Sequence, residues 1–484
     1  MQEIATIDKL DIIQSSMSFV LPFGYDRKSK KDIIGTLSEN GYTYFKMNQA
    51  SDFHNYYGEN IIVEGKELEQ YFLPYIGQKL FPDSPAQKGF HRFGISIMKS
   101  FQLQIRKSIL PFTIQSVDIT LAPFGIAFMT IRVELDDHVH ELTDVLDFMH
   151  HFRTVEPILK EEKGAKVHVV DSGQQLSVHG LLFEVLCPFL KSYLTEEDQL
   201  KGYFGTLPYF EDERMYTSAY LVSCEGASIT DTHLYRMGAL DGRSPDGEAF
   251  MSAHNPAYIR GILDQTLHDR WAPYTYTVIT EHAYITVTNR PPEEMDRELS
   301  QFMGTHYHNF LLHYFYKIML LRVAFEYSQL DWKRDDEYVK SLIKLITLFS
   351  SWYYFQEVST RSEGKELSRM FRQSFSIGQL FEEVNNTLHE LYKNQESINS
   401  DRMNMLLFAL TVFTVISGIY GMNLVIKDWE TSASWKAFQQ YNFYEWIALV
   451  TAISGIGLST YLIGSTIGKI VIKRLRNRKA ESRL

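Results

Sequence analysis

Apolar and polar positions follow two different periods along this chain, and near its end the polar positions vanish for long stretches. SVDITLAPFGIAFMTIRVEL, Ser116 to Leu135, reads as two strands about an Ala-Pro-Phe-Gly turn. Further strands are expected at Lys166 to Val170, Thr217 to Ser223 and Tyr274 to Thr288, and a helix from about Asp137 to His151. RSPDGEAFMSAHNP, Arg243 to Pro256, has the composition of an exposed loop. Residues 1–290 therefore read as a mixed α/β domain. From residue 291 the pattern turns helical. A helix from Glu294 to about Gln329 follows Pro291-Pro292, a helix-start signal. A second, from Asp335 to about Thr360, opens with three acids at the positive end of its dipole. Together they form a helical arm, 291–364.

Lys365 to Asp401 holds no proline. Leu367, Met370, Ile377, Phe381, Val384, Leu388, Leu391 and Ile398 fall on a heptad seam with gaps at Ser374 and Gln395. The pattern predicts a stalk helix over 365–402, continuous with the next segment in one rod of about 57 residues, roughly 85 Å long.

That next segment, MNMLLFALTVFTVISGIYGM, runs from Met403 to Met422 without a charge, enough for roughly 30 Å of helix. WIALVTAISGIGLSTYLIGSTIG, Trp446 to Gly468, is also charge-free. The pair predicts a transmembrane hairpin: a first helix over 403–423, an outer loop over 424–445 and a second helix over 446–468. The tail, 469–484, holds seven Lys or Arg, whereas the loop has only Lys427 and Lys436. The positive-inside rule then places both termini in the cytoplasm. The N-terminal MQEIATIDKLDI lacks the features of a signal peptide. The expected location is the inner or plasma membrane, multi-pass and in contact with lipid.

Overall totals change little: the net charge is -11 and 22% of residues are charged, which suits a globular chain and averages away the contrast just described. Cys187 and Cys224 are too few for a disulfide framework and read as reduced, buried thiols. GxxxxGK[ST], GxGxxG, GxSxG and HExxH are absent and no catalytic constellation announces itself, so the expectation is a protein that is not an enzyme; no direct nucleic-acid partner is expected. In DDHVHELTDVLDFMHH, His140, Asp144 and Asp147 fall along one helical face with His151 beyond. This is either an acid-capped amphipathic helix or a divalent-cation sensor. Met403, Leu407, Thr411, Thr414, Gly418 and Gly421 also share a face, which becomes small and polar toward Asn423. Such a stripe suits a pore lining or tight helix packing. One hairpin cannot enclose a pore, so conduction would require an oligomer.

GIYGMN at the outer end of the penultimate apolar segment, after a long helix and before a basic tail, resembles the CorA family of magnesium channels. The likeness covers roughly residues 365–484. It implies a homopentameric funnel of cytoplasmic α/β domains on helical arms, long stalk helices and two-helix transmembrane hairpins. It implies a selectivity filter at Tyr420, Gly421, Met422 and Asn423, whose amide oxygens would hold the water shell of Mg²⁺, an ion that dehydrates reluctantly. Met403, Leu407, Thr411, Thr414 and Gly418 would line the pore. Regulatory Mg²⁺ would sit between Glu382 or Glu383 and Asp136 or Asp137 of a neighbouring copy. Thr411 and Val412 stand where family members often carry a bulky apolar residue and a proline. The implied function is passive passage of divalent cations, chiefly Mg²⁺. The enlarged N-terminal domain is similar to that of CorA-like proteins accompanying type III CRISPR antiviral systems, which implies an alternative: an effector opened by a nucleotide second messenger. A membrane-anchored enzyme or scaffold is the third reading.

Overall fold

A computed structural model of the chain describes residues 5–47, 54–57, 61–136, 139–155, 165–170, 173–194, 214–328 and 336–421, together with 442–444, 446–447, 449–450, 453–454, 457 and 460–461. These fall into two compact units, Met1–Asn386 and Thr387–Leu484.

The first unit is organised by one mixed sheet of twelve strands. In chain order they are β1 (Asp11–Gly24), β2 (Thr43–Tyr44), β3 (His91–Ile105), β4 (Ser108–Leu121), β5 (Ile126–Leu135), β6 (His140–Glu141), β7 (Lys166–Val169), β8 (Gln174–Leu176), β9 (Tyr216–Ser223), β10 (Leu267–Trp271), β11 (Thr275–Ile279) and β12 (Ala283–Thr288). The spatial order is β10-β11-β12-β9-β1-β5-β4-β3-β7-β8, with β2 paired to β3 and β6 to β1. Pairing is antiparallel except between β9 and β12. The expected hairpin is present as β4 and β5, joined through Ala122 to Gly125, with Phe124 and Gly125 both at positive φ.

Two-residue alternation gives the sheet two different buried faces. Met17 and Phe19 of β1, Val117 and Ile119 of β4, and Met129 and Ile131 of β5 belong to the main apolar core. Their neighbours Ser18, Asp118, Thr130 and Arg132 point to the other side and are also buried. The apolar face packs on α1 (Lys30–Glu39), α5 (Leu142–Phe152), α7 (Asp231–Ala239) and α8 (Pro256–Thr266), with α6 (Val178–Gly180) and the π-helical turn Leu181–Leu186 at one end. Phe19 meets Phe152 of α5 with ring centroids 4.7 Å apart.

The polar face lies under α9 (Pro292–Gln301), a π-helical turn (Phe302–His306) and α10 (Tyr307–Ser328), joined by the short helices α2 (His54–Tyr57), α3 (Gly65–Tyr71) and α4 (Pro74–Leu80). Burying polar groups here requires partners, because an unpaired buried charge is far costlier than an unpaired hydroxyl. Asp118 supplies them: its Oδ2 accepts from Arg92 Nε at 3.2 Å and from Arg132 at 3.4 Å. The three side chains are 0–3% exposed. Remaining N–H groups of the two arginines reach Tyr57 Oη at 2.9 Å, the Tyr56 carbonyl at 2.6 Å and Ser18 Oγ at 3.0 Å. Both guanidinium groups also face the rings of Tyr57 and Tyr307. Asp118 holds Arg92 firmly protonated against the burial that works the other way.

Helix α11 (Asp336–Trp352) leads to α12 (Ser362–Ser374) and α13 (Ile377–Gly421). The stalk expected as one rod from Lys365 is thus broken. Ser376 takes a left-handed φ of 51°, Phe375 is buried, and the Ser374 hydroxyl donates to the Ile279 carbonyl at 2.9 Å. The polar gap in the heptad at Ser374 is where the helix turns.

Among the described residues no helix is long and apolar enough to cross a membrane. This corrects the expected transmembrane hairpin, the membrane-channel class built on it and the multi-pass membrane location. The fold class becomes a twelve-stranded mixed sheet with helices on both faces, in place of an α/β funnel on membrane spans. Most of the expected second span, 446–468, lies outside the described residues.

Two outcomes follow for stability. Asp118→Ala leaves two buried guanidinium groups without their counter-charge, and urea unfolding should show a loss of about 3–5 kcal/mol. Burial also pushes His91 and His306 down to about 4, and His150 and His313 down to about 3. Their unfolded forms take up protons near pH 6.5, whereas the native forms stay neutral. The unfolded state therefore binds more protons as pH falls from 6.5 toward 4. The melting temperature should be highest above about pH 6.5 and fall steadily to pH 5, as read by circular dichroism.

Candidate functional site

At the β10 end of the sheet the polar face opens into a cavity of about 630 Å³ within the first unit. Its floor is made by alternate residues of β9, β11 and β12: Tyr220, Thr275, Thr277 and Thr286. Threonine suits this place twice over, since its branched Cβ favours a strand and its hydroxyl can pair across it. Thr277 and Thr286 share a hydrogen bond at 2.8 Å, and Thr275 and Thr288 one at 2.9 Å. One wall is α9 with the π-helical turn, bringing Arg297, Glu298, Gln301, Phe302 and His306. The other is β10 facing α12, bringing His268, Arg270 and Trp271 against Arg361, Ser362 and Glu363.

Four guanidinium groups border this cavity, those of Arg270, Arg290, Arg297 and Arg361, against the carboxylates of Glu298 and Glu363. Burial drives His306 down to about 4, so it is neutral at pH 7. The carboxylates have identifiable duties. Glu298 accepts from Tyr220 Oη at 2.8 Å and from Thr275 at 3.0 Å, with Arg290 at 3.9 Å. Burial and this carboxylate raise the Tyr220 phenol well above its usual range. Glu363 accepts from the Trp271 indole at 3.2 Å. Among the described residues Arg297 and Arg361 form no ion pair within 4 Å. The balance of the site is cationic, with an indole that is 41% exposed on its rim.

The approach of α12 depends on Gly364. A Cβ there would collide with the Ser359 side chain and the Tyr71 ring. Its carbonyl accepts from Asn309 Nδ2 at 3.2 Å and from Ser368 Oγ at 2.7 Å. That contact sets the distance of Ser362, Glu363 and Glu366 from β10.

The residues predicted from the sequence lie elsewhere. Met403, Leu407, Thr411, Thr414 and Gly418 stand on α13 and are exposed, the two threonine hydroxyls donating to carbonyls four residues back at 2.8 Å. Tyr420 and Gly421 end that helix, while Met422 and Asn423 lie outside the described residues. Asp136 accepts from Thr113 at 2.9 Å and borders a smaller cavity of about 290 Å³ with Glu134, His140 and Asp296. Asp137 lies outside the described residues, and Glu382 and Glu383 are exposed on α13. In the expected sensor stretch the acids are spent on arginines: Asp144 pairs with Arg243 at 2.7 Å and Asp147 with Arg106 at 3.3 Å. Among the described residues no group of three or more His, Cys, Asp and Glu side chains could hold a metal ion. The cavity at β10 had no motif to announce it. Its only sequence signals are HDRW at 268–271 and the basic pair Arg290 and Arg297 around the Pro-Pro helix start.

A comparison with protein families, with curated proteins and with solved structures finds no match for the chain. Gly364→Ala should lower stability by about 1–3 kcal/mol through overpacking, measurable as a lower urea midpoint with unchanged slope.

Proposed function

We propose that the first unit is a sensor for an anionic ligand carrying an aromatic ring, of the nucleotide class, bound in the cavity between α9, α12 and the β10 edge. In this proposal ligand binding bears on α12 and the helix after it, α13, whose C-terminal end leads into the GIYGMN segment. The chain then works as a ligand-controlled effector acting on divalent cations, chiefly Mg²⁺.

The observation that carries this reading is the lining of the cavity. Guanidinium forks match phosphate oxygens in pairs, and Arg297 and Arg361 make no ion pair among the described residues. An indole and its neighbouring guanidinium offer a flat face for a base: Arg270 lies 5.4 Å from the Trp271 ring centroid. The threonine floor adds hydroxyls that can pair with a sugar. The volume, about 630 Å³, falls in the range of small-molecule sites. The GIYGMN resemblance supports the cation as output.

Isothermal titration of the full chain with ATP, ADP, AMP and NAD tests it. Saturable binding of at least one is expected. Arg297→Ala and Arg361→Ala should each weaken that binding by about tenfold or more, the loss of one charge-assisted hydrogen bond. Failure of all four ligands to saturate by about 1 mM overturns the reading.

A further inference from the structure

The inference here rests on the ligand reading above and concerns its regulation. We infer that Glu366 and Glu363 hold the donors of β10 that border the cavity, His268, Arg270 and Trp271, in place of a ligand, and that an entering polyanion displaces these carboxylates and unfastens the start of α12 from β10.

Glu366 is held as a bound anion would be. His268 Nε2 lies 2.9 Å from its Oε2, and Arg270 donates to both carboxylate oxygens at 3.1 and 3.2 Å. These two donors hold the Glu366 carboxyl below its usual range. Arg270 also donates to Ser362 Oγ at 3.1 Å, and the Trp271 indole to Glu363 at 3.2 Å. All three donors are consecutive or alternate residues of β10, and all three acceptors lie in the first two turns of α12. The β10 strand and α12 are thus tied across the cavity by donors that a phosphate group would claim in the same geometry. The tie is open to solvent: Arg270 is 38% exposed and Glu366 36%. Ion pairs in water are weak, so a doubly charged group can compete for them.

Displacement has somewhere to go. The opposite side of α12 stays anchored, through Asn309 to Gly364 and through Phe371, whose ring packs with Tyr284 at 5.2 Å. A helix released on one side and held on the other pivots. Its far end is the elbow at Phe375 and Ser376, from which α13 starts. The contact between carboxylates and β10 is autoinhibitory in this scheme: it lowers ligand affinity and fixes the elbow in the unliganded chain.

Glu366→Gln keeps the size of the side chain and removes its charge, and the residue is exposed enough for the fold to survive. In calorimetry it should bind ATP about fivefold or more tighter than the parent chain. Hydrogen exchange over 362–368 in the unliganded variant should rise to the level of the ATP-bound parent. Arg270→Ala should loosen the same residues yet bind ATP more weakly. If the parent binds ATP and Glu366→Gln binds no tighter, with exchange over 362–368 unchanged, the carboxylate displacement is overturned while the ligand reading stands. If the parent binds none of the nucleotides, the ligand reading falls and takes this inference with it.

Discussion

The carboxylate of Asp118, shared between Arg92 and Arg132, is the constraint on which the second face of the sheet depends. A mixed sheet buried on both sides usually carries apolar residues on both. Here one face carries serines, threonines and two arginines out of water. Each cation is balanced by the same oxygen, then by aromatic faces and backbone carbonyls supplied by α2 and α10. The helices of this layer are therefore fixed by directional bonds, not only by area. Thr130 shares a hydrogen bond with Tyr307 at 2.6 Å, and Arg92 lies 3.2 Å from His308. The α10 helix cannot slide along its axis without breaking both.

That directional layer explains why a cavity survives beside it. Where apolar side chains meet, they close gaps. Along β9, β11 and β12 the polar face instead presents hydroxyls already paired with one another, and α9 answers with Glu298, whose oxygens are engaged by Tyr220 and Thr275. The wall stands without filling the space in front of it. The arginines project into that space from three separate segments, and only the sheet brings them together.

How much of this the sequence disclosed follows from the same physics. The β4–β5 hairpin was legible because apolar alternation and a Pro-Phe-Gly turn agree, and β7 and β9 lie where strands were expected, whereas the stretch expected from Tyr274 to Thr288 is divided into two strands, β11 and β12. Two long strands were not. In β1, Ser15, Ser16 and Ser18 face partners that sequence cannot show, and in β3 a register shift between Ser96 and Lys99, with Met98 at positive φ, interrupts the alternation. The helix expected from Asp137 starts at Leu142 because His140 and Glu141 pair with the start of β1. Leu367 and Ile377 of the heptad seam are buried inside the first unit together with Phe371 and Phe375, which lie off the seam, and this is why a stalk pattern hid an elbow. The charge-free run from Met403 was visible to the eye, but among the described residues no helix is long and apolar enough to cross a membrane. The cavity was illegible because its residues lie at 220, 268–277, 286–306 and 361–367, and no local spacing links them.

The position of β10 has a bearing beyond ligands. It ends the sheet, and an end strand offers free backbone groups to any extended chain that drifts against it. This one is five residues long, its register slips between His268 and Trp271, and its outward side chains are clasped by α12. Asp269 and Arg270 also set charges on this edge, which an intruding strand would have to accommodate. Self-stacking of these sheets into fibrils is discouraged by the very side chains that line the cavity mouth.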